Sequence, residues 1–337
     1  MRKAKPNQPT RYWAGFDIAK KTFQAALWGH KEFSDMEVHG FLRQKKVVRE
    51  ALGRMKAEAP KGMPLGIVME ATGKFSEQVA VWLLELDPRL RVAIVNPAQT
   101  ASFIKSLGFR NKTDDLDAKA LARYGHERNP VAWEPPSPEM AVLRDLTRTR
   151  ADLVAARTAM KNRLNDHERA SSAASDALSK IIESLAGQVE ALDEAIQGHL
   201  KAQPELGRQV RLYMTIQGIG IVTSTVVLAE MGDLHRFERS RKLAAFAGLS
   251  PKLKDSGTSV HGKPRMCKQG SARVRTALYM AASNAIQYNP DMKAFYERLC
   301  KQGKVPRAAL GAVMRKLLVL MRAVLVAGEA WKPRLAA

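Results

Sequence analysis

Tyr12-Trp13-Ala14-Gly15-Phe16-Asp17-Ile18 opens a run, continuing to Trp28, in which apolar and polar residues alternate and Phe, Ile and Thr are frequent. Alternation with period two is the pattern of a half-buried strand, and a run of this length is either one long strand or the start of a hairpin. Outward from it lie two shorter apolar runs, Leu65 to Met69 and Val92 to Val95. Each ends at a breaker, Ala71-Thr72-Gly73 after Glu70 and Asn96-Pro97 after Val95, as buried strands of an α/β sheet do. Helical spacing fills Glu77 to Leu86 and Ala98 to Leu107. A basic tail at 1–11 followed by an α/β domain over 12–132 is the expectation.

Trp133-Glu134-Pro135-Pro136-Ser137-Pro138 cannot continue a helix, because its prolines fix φ and remove amide donors, so 133–138 reads as a linker. Beyond it Leu143, Leu146, Leu153, Met160 and Leu164, then Leu178, Ile181, Leu185, Val189, Leu192, Ile196 and Leu200, recur every three or four residues. That spacing predicts a long helical, coiled-coil hairpin over 139–205 that turns near Ser171-Ser172. It serves equally as a self-packed spacer or as an arm that joins two copies of the chain. A mostly helical unit over 206–331 and a tail at 332–337 complete the chain, with a basic loop from Ser250 to Gly270.

At 337 residues the chain exceeds one ordinary core, consistent with two domains and a connector. Lys and Arg number 55 against 33 Asp and Glu, a net charge of +22 that selects a polyanion, nucleic acid above all, as partner. No apolar run approaches a membrane span. The first residues lack the apolar core of a secretory signal, so a cytoplasmic location is expected. Cys267 and Cys300 have neither disulfide-framework nor zinc-site spacing and read as reduced thiols.

Four carboxylates stand out. Asp17 lies inside a strand pattern, where an unpartnered charge would cost several kcal/mol, and Glu70 closes the second apolar run. Asp114 and Asp117 are three residues apart at a helix start with Thr113 as its cap, which puts them on one face and Asp115 elsewhere. Acids without His or Cys suit Mg²⁺, with Mn²⁺ as the alternative, and paired ions of this kind serve phosphodiester chemistry. The plain reading of each acid is a turn or cap residue favoured by the helix dipole.

In the last unit, Ile216-Gln217-Gly218-Ile219-Gly220 before an apolar helix matches a helix-hairpin-helix-like turn, in which Gly218 and Gly220 would expose amides to phosphate. A plain glycine turn between packed helices is the competing reading. Arg241, Lys242, Lys252, Lys254, Lys263, Arg265, Lys268 and Arg273 follow with Asp255 as the opposing charge, a density that would track a phosphate backbone. Asp255-Ser256-Gly257-Thr258-Ser259 within it reads first as a turn, although basic neighbours would also support an attacking serine oxygen. On composition Ser259 rivals Ser256.

Gly15-Phe16-Asp17-Ile18-Ala19-Lys20, Glu70-Ala71-Thr72-Gly73, Asn96-Pro97 and Asn111-Lys112-Thr113-Asp114 through Asp117-Ala118 together resemble the DEDD-type transposases of insertion-sequence family one-hundred-and-ten. The likeness continues in family order through Ile216 to Gly220, Phe246-Ala247-Gly248-Leu249-Ser250-Pro251, Ser256-Gly257 and Lys268-Gln269-Gly270. The resemblance implies a RuvC-like, RNase H-type domain at 12–132, a coiled coil, and a smaller helical transposase domain. It places Asp17, Glu70, Asp114 and Asp117 at the metal positions and matches the family serine to Ser256 rather than Ser259. Ser256 would then attack DNA to give a phosphoserine intermediate, with the acidic site supplied by a neighbouring protomer. The resemblance further implies a structured guide RNA encoded by the element, donor and target DNA as partners, and dimers assembling to a tetramer. Two other readings stand beside it: a RuvC-like junction-resolving nuclease that uses metal-activated water, and a non-catalytic nucleic-acid scaffold whose acids only cap and pair.

Overall fold

The computed structural model describes residues 11–29, 33–108, 113–166, 172–256 and 260–333. The chain divides into two compact units, Met1–Pro135 and Pro136–Ala337.

The opening run is a hairpin. Strands β1 (Tyr12–Ile18) and β2 (Thr22–Trp28) pair antiparallel, and Ala19 donates its amide to Thr22 O at 2.9 Å across the turn. Next come β3 (Val38–Leu42), α1 (Lys45–Glu58), β4 (Leu65–Glu70), α2 (Lys74–Leu86), β5 (Arg91–Val95), α3 (Pro97–Ser106) and α4 (Asp114–Arg128). The sheet order is β3-β2-β1-β4-β5, with β4 parallel to both β1 and β5. The sequence pattern announces neither β3 nor α1. β3 is a half-exposed edge strand whose Gly40 and His39 dilute the apolar alternation.

Strand parity divides the sheet's two faces. Ala14, Phe16 and Ile18 of β1 and Leu65, Ile67 and Met69 of β4 pack with Val48, Leu52 and Met55 of α1 and Val79, Ala80 and Leu83 of α2. Trp13 and Val68 lie on the other face with Ala93, Val95 and Leu121 of α4. Gly15 sits on that second face, and a Cβ added there would lie 2.1 Å from Ala118 O and 2.4 Å from Ala122 N. Helix α4 therefore rests directly on the β1 backbone, an approach that no larger residue permits.

Two long helices begin the second unit, α5 (Pro138–Asp166) and α6 (Ser172–Ala202); residues 167–171, which include the expected turn, lie outside the described residues. Arg150 of α5 meets Asp193 of α6 at 2.5 Å. The helices α7 (Pro204–Met214), α8 (Ile221–Met231) and α9 (Ser240–Phe246) follow, then β6 (Pro251–Ser256), β7 (Val260–Met266), α10 (Ala272–Tyr288), α11 (Pro290–Lys301) and α12 (Pro306–Ala327). The base of the long helix pair is built into this unit's core, where Leu143, Ile196 and Leu200 pack with Val210, Ile216, Leu228, Leu278 and Leu317.

The basic loop expected from Ser250 to Gly270 is instead a two-stranded antiparallel hairpin, β6 with β7. Both strands are polar on most positions, so their charge hides their period. The register shifts between Lys252 and Lys254, opposite Lys263-Pro264, where proline has no amide to donate. Among the described residues no helix is long and apolar enough to cross a membrane.

Candidate active site

Asp17 and Glu70 are brought together by sheet register. β1 and β4 run parallel with Phe16 opposite Met69, so Asp17 and Glu70 occupy the next step at the carboxyl ends of neighbouring strands. Because Phe16 and Met69 enter the core with α1 and α2, both acids belong to the other face, the one covered by α4. The carboxyl ends of parallel strands are where open α/β sheets bind ligands.

Helix α4 supplies the other two acids. Thr113 caps it, its side-chain oxygen accepting the Leu116 amide at 3.2 Å, and Asp114, Asp115 and Asp117 crowd the first turn, where the helix dipole favours negative charge. Asp117 is 6 % exposed and directly precedes Ala118, the residue whose carbonyl touches Gly15. Asp114 and Asp115, by contrast, are exposed.

Sequence reasoning misses Thr100. Its hydroxyl is hydrogen-bonded to Glu70 Oε1 and lies 3.0 Å from Pro97 O, and the residue is 1 % exposed. Asn96 sets its place: the Asn96 side chain accepts the Ala98 amide at 2.9 Å and Pro97 occupies the first helical position of α3. In the sequence the Asn-Pro pair reads as a breaker, but the helix start it defines also fixes which residue of the first turn faces Glu70.

All four members are carboxylates, the donor type that suits a hard divalent ion; Asp17 and Glu70 are neighbours by strand register, and Asp114 and Asp117 lie in the first turn of α4. Asp17, Glu70, Asp114 and Asp117 are not among the described residues whose ligand atoms cluster. Among the described residues, ligand atoms of Glu37, His39 and Glu58 come within 4.8 Å of one another, and Arg54 already donates to Glu58 at 3.1 Å.

In the second unit Ser256 is the last residue of β6, its backbone opposite Val260, while Ser259 lies outside the described residues. Lys252, Lys254 and Lys263 are on the hairpin strands, and Arg265, Lys268 and Arg241 are exposed. Two of the basic residues expected to meet phosphate have acidic partners. Arg273 pairs with Asp152 of α5 at 2.9 Å and Lys242 with Glu238 at 3.2 Å, so Asp255 is not the basic stretch's sole opposing charge.

Gly218 adopts φ +97° and a Cβ there would meet Ala285 Cβ at 2.6 Å. The buried Asn289 side chain donates to Gln217 O at 3.1 Å and fixes the turn. Gly220 starts α8 without a side-chain cap, beside a concavity lined by Gln217, Asn284 and Tyr288.

Residues 14–167 match the transposase model of the DEDD type of insertion element IS110, and residues 210–297 match the model described as the transposase IS116/IS110/IS902 family. The pilin gene-inverting protein of Moraxella bovis is 32 % identical across 94 % of this chain and 96 % of its own. The chain belongs to the IS110 family of transposases. A second relative, the transposase for insertion sequence element IS1111A of Coxiella burnetii, is 24 % identical over 94 % of this chain and 90 % of its own. This IS110-family transposase is thus a DNA-recombining enzyme. Its DEDD character points to a divalent ion, and the matched segments carry the acids in one case and Ser256 in the other.

Proposed function

We propose that the chain cuts and rejoins DNA to move its own element. The supporting observation is the meeting of Asp17 and Glu70 at neighbouring parallel strand ends beneath the helix that bears Asp117. In this reading Asp17, Glu70, Asp114 and Asp117 hold Mg²⁺, which when bound supplies charge neutralisation at a phosphate under attack. The Ser256 hydroxyl loses its proton and its oxygen bonds to phosphorus, while the phosphate's bond to one DNA oxygen breaks and that oxygen leaves as a hydroxyl. A hydroxyl of the other DNA end then displaces serine and restores the phosphodiester. Gly218, Gly220 and the exposed cations of the second unit grip the backbone.

The same proposal assigns 12–132 to catalysis, 139–205 to a coiled-coil arm that joins copies into dimers and tetramers, and 206–331 to the serine-bearing domain. Ile181, 47 % exposed on α6, is available for such a contact. A structured RNA encoded beside the gene directs the choice of donor and target, and the +22 charge supports a scaffold for it.

A denaturant-resistant protein–DNA adduct on a nicked substrate tests the chemistry. Wild type should form it and Ser256→Ala should not, while Asp17→Asn should abolish exchange and spare DNA binding. Exchange at the normal rate by Ser256→Ala would reject the covalent role, and cleavage without any adduct would return the site to a water-using nuclease. RNA recovered from the purified chain, or its absence, decides the guided part.

A second reading rests on the Moraxella relative, whose identity exceeds that of the Coxiella transposase. The chain would then invert a resident DNA segment between two sites. A plasmid carrying candidate sites in opposite orientation separates the readings, since inversion retains the segment and transposition moves it.

A further inference from the structure

We infer that Phe246 is a base-stacking residue that holds one unpaired nucleotide beside the hairpin carrying Ser256. The inference rests on the reading of this unit as a nucleic-acid-binding surface.

Phe246 ends α9 and is 49 % exposed. Its orientation is held from behind. The ring packs on buried Phe237 with centroids 5.3 Å apart, and the Arg236 guanidinium lies 5.0 Å from the Phe246 centroid and 4.9 Å from that of Phe237. A ring kept in place by a cation and a second ring presents its remaining surface with little entropy left to lose on binding.

The surroundings select the partner. Arg239, Arg241 and Lys242 are exposed on and before α9. The chain leaving β7 runs against the same spot: Lys268 donates its amide to Gly248 O at 3.1 Å, and Gly270 lies so close that an added Cβ would be 2.3 Å from Phe246 O. The exposed Lys268 and, three residues before it, Arg265 belong to this segment. Lys242 is paired with Glu238 at 3.2 Å, but Arg239, Arg241, Arg265 and Lys268 are exposed on the segments that meet here, and such cations with a flat apolar ring match a phosphate chain bearing flat apolar bases. Phenylalanine has no hydrogen-bonding group, so it reads a base's face and not its edge. In an intact duplex those faces are stacked on one another, so the ring engages a base only where the strand is opened. Strand exchange opens it, and Phe246 stands at the foot of the hairpin whose far end carries Ser256, five residues along β6 from Pro251.

The test uses the full chain and three probes: a single DNA strand with one 2-aminopurine, the RNA strand of the same sequence, and the fully paired DNA duplex. Wild type should quench 2-aminopurine fluorescence in at least one single strand, and which strand responds identifies DNA or RNA as the source of the base. Phe246→Leu, which keeps apolar bulk without a π face, should lose the quench and weaken single-strand binding about tenfold. Phe246→Trp should retain both, and all three proteins should bind duplex equally. Leucine behaving like phenylalanine, or duplex and single-strand binding falling together, overturns the inference while the nucleic-acid surface stands. Wild-type protein that binds none of the probes overturns the underlying reading itself.

Discussion

Replacing Gly15 by alanine adds one methyl group where α4 is seated on β1, beside the proposed acidic site. Gly15 is paired on both sides, with Ala26 of β2 and Val68 of β4, so the strand cannot yield. The new Cβ would stand 2.1 Å from Ala118 O, 2.4 Å from Ala122 N and 2.7 Å from Leu121 Cβ. The first two are backbone atoms of α4 and have no rotamer to escape into. Ordinary van der Waals contact begins at 3.4 Å, so the helix must retreat by about 1.3 Å from its present 2.1 Å. Overpacking of this kind costs about 1–3 kcal/mol, which thermal denaturation would register as a drop of several degrees. Asp117 precedes Ala118 and moves with it, and a misplacement near 1 Å in a catalytic constellation costs about 100-fold in rate. A plasmid excision or inversion assay should therefore fall about 100-fold although no acid has been altered. Gly53→Ala on α1, where an added Cβ meets nothing within 4 Å, provides the control and should leave the rate unchanged. Wild-type turnover by Gly15→Ala, with or without a change in melting temperature, would refute the claim that α4's seating on β1 sets the site.

Thr100→Val should lower the recombination rate about tenfold while the melting temperature moves little, because it deletes a hydroxyl bonded to Glu70 but keeps the shape; an unchanged rate would remove Thr100 from the site. Glu230 is buried, which pushes its carboxyl up, but Arg148 at 2.6 Å and Ser271 at 3.1 Å more than offset this and hold it below the usual 4.5. A depressed carboxylate stabilises the fold fully above its unfolded value and loses that contribution as pH falls through the folded one. Resistance of wild type to denaturation should thus fall below about pH 4.5, and Glu230→Gln should be less stable at pH 7 with a flatter acid limb. Asn289→Ala should cost about 1–3 kcal/mol in urea denaturation, since its side chain both donates to Gln217 O at 3.1 Å and accepts the Met292 amide at 3.2 Å.

Two of the acids are legible in the sequence because short-range rules govern them. Asp17 and Glu70 follow apolar runs whose alternation dictates parity, and parity alone places them on one face once β1 and β4 are neighbours. Thr113 as a cap is legible for the same reason, being a local bond within four residues. The strand β3 is not, because an edge strand buries little and so keeps little apolar pattern. Thr100 is invisible because its partner is thirty residues away and nothing in a lone threonine marks that bond.

Charge is the least legible property, and the reason bears on how the second unit binds. A sequence count treats every Lys and Arg as available, whereas the fold commits some of them internally. Arg273 is taken up by Asp152 and Arg148 by Glu230, and both bonds tie the long helix α5 to the segment that leaves the hairpin, through Arg273 and the α10 cap Ser271. Both arginines already hold a carboxylate, which competes with any phosphate that approaches them. Arg241, Arg265 and Lys268 stay exposed. Charge-reversal there should weaken binding and flatten its salt dependence, because every phosphate left unneutralised keeps its condensed counterion. Reversal of Arg273 should instead lower stability with the salt slope of the surviving fold unchanged. If both reversals flattened the slope alike, the division between structural and binding cations would be wrong.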